Sequence, residues 1–115
     1  MDSIDWKIIT YESDRGEKPI DEFLKKQQAF TRAKIIHNIG LLRTYGNLLT
    51  MPHVKMLGSG LFELRIRGKE ELRIFYCFSG SKTIYLLHAF KKKTQKTPQK
   101  EHDLALERKK QLTTI

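Results

Sequence analysis

The chain changes its hydrophobic period partway along. Between about Thr31 and Tyr45 the apolar residues Ile35, Ile36, Ile39 and Leu42 recur at helical spacing, and Gly46-Asn47 supplies a stop. After the loop NLLTMPH, the runs VKML, LFELRIR, ELRIFYCF and TIYLLHAF are strand-like and are parted by the short turns GSG, GKE and SGSK. Such runs predict an antiparallel meander. Upstream, WKIITY at 6–11 is aromatic and β-branched and predicts a first strand. Pro19 opens a short helix with Asp21 and Glu22 near its positive end and Ile20, Phe23 and Leu24 on one side.

Gly40 interrupts the second helix and is expected to mark close packing, since glycine there is less favourable than alanine by up to roughly 1 kcal/mol. Thr97-Pro98 reads as an N-cap followed by proline at the first helical position, opening a last helix that runs to about Gln111. Its apolar content is thin, with Leu104, Ala105, Leu106 and Leu112, so it is either loosely docked or covered by a partner. The predicted fold class is α+β: an N-terminal strand, a helical hairpin, a three-stranded antiparallel meander completing a small twisted sheet, and a C-terminal helix. A chain of 115 residues fits one domain, spanning 1–115.

Alternation assigns side chains to faces. Phe62, Leu64 and Ile66 share one face of LFELRIR, and Glu63, Arg65 and Arg67 share the other. In ELRIFYCF, Leu72, Ile74, Tyr76 and Phe78 lie opposite Arg73, Phe75 and Cys77. The polar side of the meander thus carries arginines among apolar neighbours.

Charge sharpens this picture by its location. The net charge is +9, and residues 54–100 hold 11 basic side chains against 3 acidic ones. A polyanionic partner fits such a balance. Arg65, Arg67, Arg73, Lys91, Lys92, Lys93 and Lys96 form the basic set on the strands and their exit. One reading is a phosphate-gripping surface, with bidentate guanidinium groups and lysines as point charges; the other is a solvated connector. Lys55 and His53 make a smaller basic group before the sheet, where His53 is either a proton shuttle or a surface group. Glu63 is either a general base or the partner that holds an arginine. Phe75 is the aromatic best placed to stack on a base, because it shares a face with Arg73.

The remaining chemistry is sparse. His88, with Leu86 and Phe90 as alternate neighbours, reads as a core or sheet-edge histidine with a satisfied hydrogen bond. His37 and His102 carry no constellation, and the single Cys77 is a small filler without a paired base. Neither a disulfide nor a metal cluster is expected, and no cofactor. The N-terminal MDSIDWKIITYE lacks a basic n-region, and no apolar run nears the roughly 18 residues of a membrane span. A cytoplasmic protein without membrane association is expected.

With LFELR, an arginine before an apolar-aromatic triplet in ELRIFY, and LLHAFKKKTQKTP, residues 6–110 resemble the RelE/ParE superfamily of bacterial toxins, and most closely its HigB-like, phage-derived branch. The resemblance implies a RelE-like fold and an mRNA interferase of a type II toxin-antitoxin system. Such an enzyme enters the ribosomal A site and cuts mRNA without a metal, by attack of the ribose 2′-hydroxyl on the adjacent phosphate. It places the family's basic residues on Arg65, Arg67, Arg73, Lys91, Lys92 and Lys93. Together with the residues' own chemistry, the catalytic candidates are Arg65, Arg73, Lys91, Lys92 and Glu63, and the RNA-contact candidates are Arg67, Lys93, Lys96, Lys55, His53 and Phe75. The chain departs from the RelE pattern in having Glu63 where a lysine stands, and in having no counterpart to the tyrosine base in its C-terminal segment. Glu63, a lysine of lowered pKa and His53 remain as bases. The implied partners are a helix-turn-helix antitoxin, the ribosome and mRNA. Two other functions fit the superfamily or the charge: a ParE-like inhibitor of DNA gyrase, and a non-catalytic RNA-binding or phage interaction module.

Overall fold

A computed structural model describes residues 5–113. The elements run β1 (Lys7–Thr10), α1 (Pro19–Lys25), α2 (Ala29–Tyr45), a 3₁₀ turn (Gly46–Leu48), β2 (Val54–Gly58), β3 (Leu61–Ile66), β4 (Glu71–Ser79), β5 (Thr83–Lys92) and α3 (Gln99–Thr113). One mixed sheet has the order β1-β5-β4-β3-β2, with β1 parallel to β5 and the rest antiparallel. The fold is the expected α+β one, with one more strand in the meander. VKML pairs with β3 as β2, so the meander has four strands rather than three.

The helical hairpin packs on one face of the sheet. Ile20 of α1 and Ile35, Ile39 and Leu42 of α2 join Leu64, Ile66, Leu72, Ile74, Tyr76, Ile84 and Leu86 in a single core. Pro19 begins α1 as expected, because its missing N–H is one the first turn leaves unpaired anyway. Gln28 precedes α2 without a side-chain cap.

Two glycines separate space from conformation. Gly40 has nothing within 4 Å of where a Cβ would stand, so the close packing expected there is absent. Gly46 ends α2 at φ 52° and ψ −120°, a backbone geometry that side chains oppose, and a Cβ on it would collide with the Trp6 indole. Gly46 therefore lets Trp6 seat against the end of α2, where the Trp6 backbone N–H donates to the Arg43 carbonyl at 2.8 Å.

The other face of the sheet carries a second core of Leu61, Phe75, Cys77, Leu87, Phe90 and Ala105, with Leu106 and Leu112 packed against it. Ala105 is fully buried, so α3 is docked on the sheet despite its few apolar residues. It begins at Gln99, one residue past Pro98, and the Pro98 carbonyl accepts the Glu101 N–H at 3.1 Å. Among the described residues, no helix is long and apolar enough to cross a membrane.

Candidate nucleic-acid interface

The basic face is assembled by cross-strand register. Arg65 of β3 lies opposite Arg73 of β4, and Arg73 lies opposite Phe90 of β5. The next row is Lys55, Glu63, Phe75 and His88. Directly opposed residues share a face, so these side chains form one patch on the α3 side.

An irregularity in β5 decides what joins the patch. Phe75 pairs with His88 and Tyr76 pairs with Leu86, leaving Leu87 as the extra residue of a β-bulge. Strict alternation would put His88 beside Leu86 on the hairpin side. The bulge instead turns Leu87, His88 and Phe90 toward α3, with Leu86 and Ala89 in the other core.

The same shift decides which lysine joins the arginines. Lys92 pairs with Glu71 on the arginine face, whereas Lys91 pairs with Leu72 on the hairpin side and forms an ion pair with Glu70 at 3.1 Å. The expectation that Lys91 joins the catalytic arginines is therefore corrected: the bulge advances the alternation by one residue, which puts Lys92 on their side and Lys91 on the other. Lys93 and Lys96 lie beyond β5 in the exposed connector to α3.

Glu63 holds the two opposed arginines. Arg65 Nε donates to its Oε1 at 3.1 Å, and Arg73 Nε lies 3.6 Å from its Oε2. Arg73 Nη1 also donates to Glu71 Oε2 at 3.2 Å and to the Leu72 carbonyl at 3.1 Å. The Arg73 and Glu63 side chains are each 4% exposed and Arg65 is 16% exposed. Arg73 Nε is buried and has no hydrogen-bond partner among the described residues. Of the two readings for Glu63, the arginine-holding one matches this geometry, since each carboxylate oxygen already faces a guanidinium. Glu71 is held below the usual carboxylate range, first by its hydrogen bond from Arg73, against the opposing cost of its own partial burial.

Phe75 is corrected as a stacking platform. It is fully buried, with Phe90, His88 and His102 around it at ring-centroid distances of 5.1, 6.4 and 6.3 Å. No ring face is left for a base. His88 lies within 2.6 Å of Glu101 Oε1 through Nε2, and Arg108 Nη1 approaches Nδ1 at 3.5 Å while donating to the Leu87 carbonyl at 2.8 Å. An arginine can only donate, so a neutral ring with its proton on Nε2 satisfies both neighbours. Burial pushes the His88 pKa down, and the Glu101 hydrogen bond only partly opposes this. His88 is thus a satisfied, buried-side histidine as expected, but it faces α3 rather than the Leu86 core.

His53 and Arg67 are exposed and line one cleft with Arg65, in which the Arg65 N–H donates to the His53 carbonyl at 2.8 Å. His37 of α2 lines it too. No local pattern joins His37 to this group, because the approach of α2 to the exposed end of β3 is a tertiary contact. Lys55 is exposed on β2. Among the described residues, no group of three or more His, Cys, Asp or Glu side chains is arranged to hold a metal ion.

The fold and patch define a small α+β protein with a basic, arginine-paired sheet face under a C-terminal helix. Residues 22–110 match the family described as Phage derived protein Gp49-like (DUF891), and the chain belongs to that family, a toxin-antitoxin-related, RelE-like group. A comparison with curated proteins finds no match.

Proposed function

We propose that the protein is the toxin of a type II toxin-antitoxin pair in the HigB-like branch, acting as a metal-independent endoribonuclease on mRNA in the ribosomal A site. The observation that carries this reading is the opposed pair Arg65 and Arg73, tied through Glu63 on one basic face. Membership of the Gp49-like family supports it.

The reaction needs no external nucleophile. The ribose 2′-oxygen bonds to the adjacent phosphorus as the bond to the 5′-oxygen breaks, leaving a 2′,3′-cyclic phosphate and a 5′-hydroxyl. A base takes the 2′-hydroxyl proton, and an acid returns one to the leaving oxygen. Arg65, the more accessible guanidinium, meets the phosphate first. Arg73 supplies the second positive group once the side chains over it move aside, and Lys92 supports the leaving oxygen from the same face. Charge stabilisation of this kind acts on the transition state. Both Glu63 oxygens are engaged by arginines, so the proton-accepting role falls to His53, which lines the cleft with Arg65. A small helix-turn-helix antitoxin is the partner that restrains the activity.

Mapping mRNA 5′ ends after brief induction tests the proposal. Codon-positioned cuts in translated messages are expected, lost in Arg73→Ala and Arg65→Ala proteins that still fold. Intact mRNA alongside inhibited DNA supercoiling would replace this reading with a gyrase inhibitor. Intact mRNA with retained, salt-sensitive RNA binding would leave a non-catalytic binding module.

A further inference from the structure

The side of α2 that borders the exposed end of β3 carries Phe30, Lys34, His37 and Leu41, spaced so that they form one stripe. A helix rises 1.5 Å per residue, so the stripe is about 16 Å long. Two clefts lie along it. The larger, of about 610 Å³, has Phe30 and Lys34 on the helix side, Lys69 on the β3–β4 turn, and Ile66 and Leu72 among its lining. The smaller, of about 280 Å³, sets His37 and Leu41 beside Arg65 and Arg67. They follow one another along the stripe as a groove, with Arg65 and Arg67 at one end and Phe30 at the other.

Its chemistry is selective. Phe30 is 79% exposed, with the Lys34 ammonium 5.9 Å from its ring centroid. Lys34 reaches across the cleft to Gly68, where a Cβ would stand only 2.7 Å from its Nζ. Glu70 is the one carboxylate among the lining residues of both clefts, and Lys91 already pairs with it. An exposed aromatic ring flanked by cations, above an apolar floor, fits an unstacked base with phosphates on either side. A duplex offers no such base, and an acidic protein surface has no use for the ring face.

We infer that this groove is a track for single-stranded RNA, with Phe30 stacking one base and Lys34 and Lys69 holding the neighbouring phosphates. The inference rests on the proposed reading only in taking RNA as the ligand of the Arg65 end. Beyond Arg65, its contacts lie along α2 and the β3–β4 turn, on the hairpin side of the sheet and away from the face that α3 covers.

Fluorescence anisotropy of the full chain with a labelled single-stranded RNA of six adenosines, over a salt series, tests the groove. Phe30→Ala is expected to weaken binding about tenfold, since one base stacked on an aromatic ring is worth roughly that much. Lys34→Ala/Lys69→Ala is expected to flatten the slope of log K against log salt by about 1.4, at about 0.7 per phosphate contact on a single strand. Lys7→Ala/Lys18→Ala, removing two exposed lysines outside the groove, serves as the charge control and is expected to leave the slope nearly unchanged. Parental affinity and slope in the groove variants would overturn the inference, as would an equal effect in the control. The readout needs no cleavage, so the two proposals fail separately. RNA held in the groove with uncut mRNA on ribosomes removes the nuclease reading and leaves the track. Arg73-dependent cuts with unchanged binding by the groove variants remove the track alone.

Discussion

Arg65 and Arg73 face each other across β3 and β4, and a single carboxylate, Glu63, lies within 3.1 Å of one and 3.6 Å of the other. Two like charges directly opposed on a sheet repel, so their juxtaposition depends on the acid between them.

Glu63→Ala should therefore destabilise the fold strongly. Removing one partner of a buried ion pair costs about 3–5 kcal/mol, because the charge left behind is neither solvated nor neutralised. Arg67→Ala, at an exposed position, should change stability by no more than about 0.5 kcal/mol. Urea unfolding of the two variants compares them directly, and equal midpoints would remove Glu63 from the role of clamp.

Gly40 within α2 and Gly46 just past its end should respond in opposite directions to alanine. Gly40→Ala meets open space in a helix interior and should stabilise by about 0.5–1 kcal/mol. Gly46→Ala combines a positive φ with a collision against Trp6 and should cost at least about 2 kcal/mol. Thermal melting reads both signs.

Docking of α3 should weaken in mild acid. The His88 pKa is lowered from 6.5 on folding, mainly by burial, so the folded chain binds fewer protons at this site than the unfolded one. The associated stability is fully present above 6.5 and is lost as pH falls through the lowered folded value. Glu101 opposes the shift while Arg108, facing the same ring, adds to it. Unfolding free energies from pH 7.5 down to pH 5 should decline less steeply in His88→Gln than in the parent. Identical slopes would place the titration elsewhere.

The Cys77 thiol should report on the same helix. It is buried in the core that contains Ala105, and burial also pushes its pKa up, so it should react slowly with a disulfide reagent. Ala105→Leu overpacks that core by an amount worth about 1–3 kcal/mol and should speed labelling by loosening α3. An unchanged labelling rate with a lowered melting temperature would mean that α3 does not control access to Cys77.

Much of the fold was legible because it is written in local periodicity. The spacing of Ile35, Ile39 and Leu42 and the alternation in LFELRIR and ELRIFYCF placed α2, β3 and β4 and set Arg65 and Arg73 each opposite the apolar residues of its own strand. VKML gave the fourth meander strand, although its four residues carry too weak a pattern to fix the strand count. The family pattern pointed to the same basic strands and did not distinguish Lys91 from Lys92.

The sequence by itself determined most of the elements, the basic excess of residues 54–100 and the polar side of each arginine's own strand, since each follows from neighbours a few residues apart, whereas the pairing of β3 with β4 set the two arginines opposite each other. Tertiary structure decided the rest. A bulge at Leu87 and His88, set by how β5 must pair with β4, reversed the facing of every later residue in the strand; it sent Lys92 to the arginines and Lys91 to Glu70. The docking of α3 buried Phe75, and the approach of α2 to the exposed end of β3 set Phe30 and His37 beside the basic clefts. Those outcomes depend on contacts between residues far apart in the chain, and local periodicity carries no record of them.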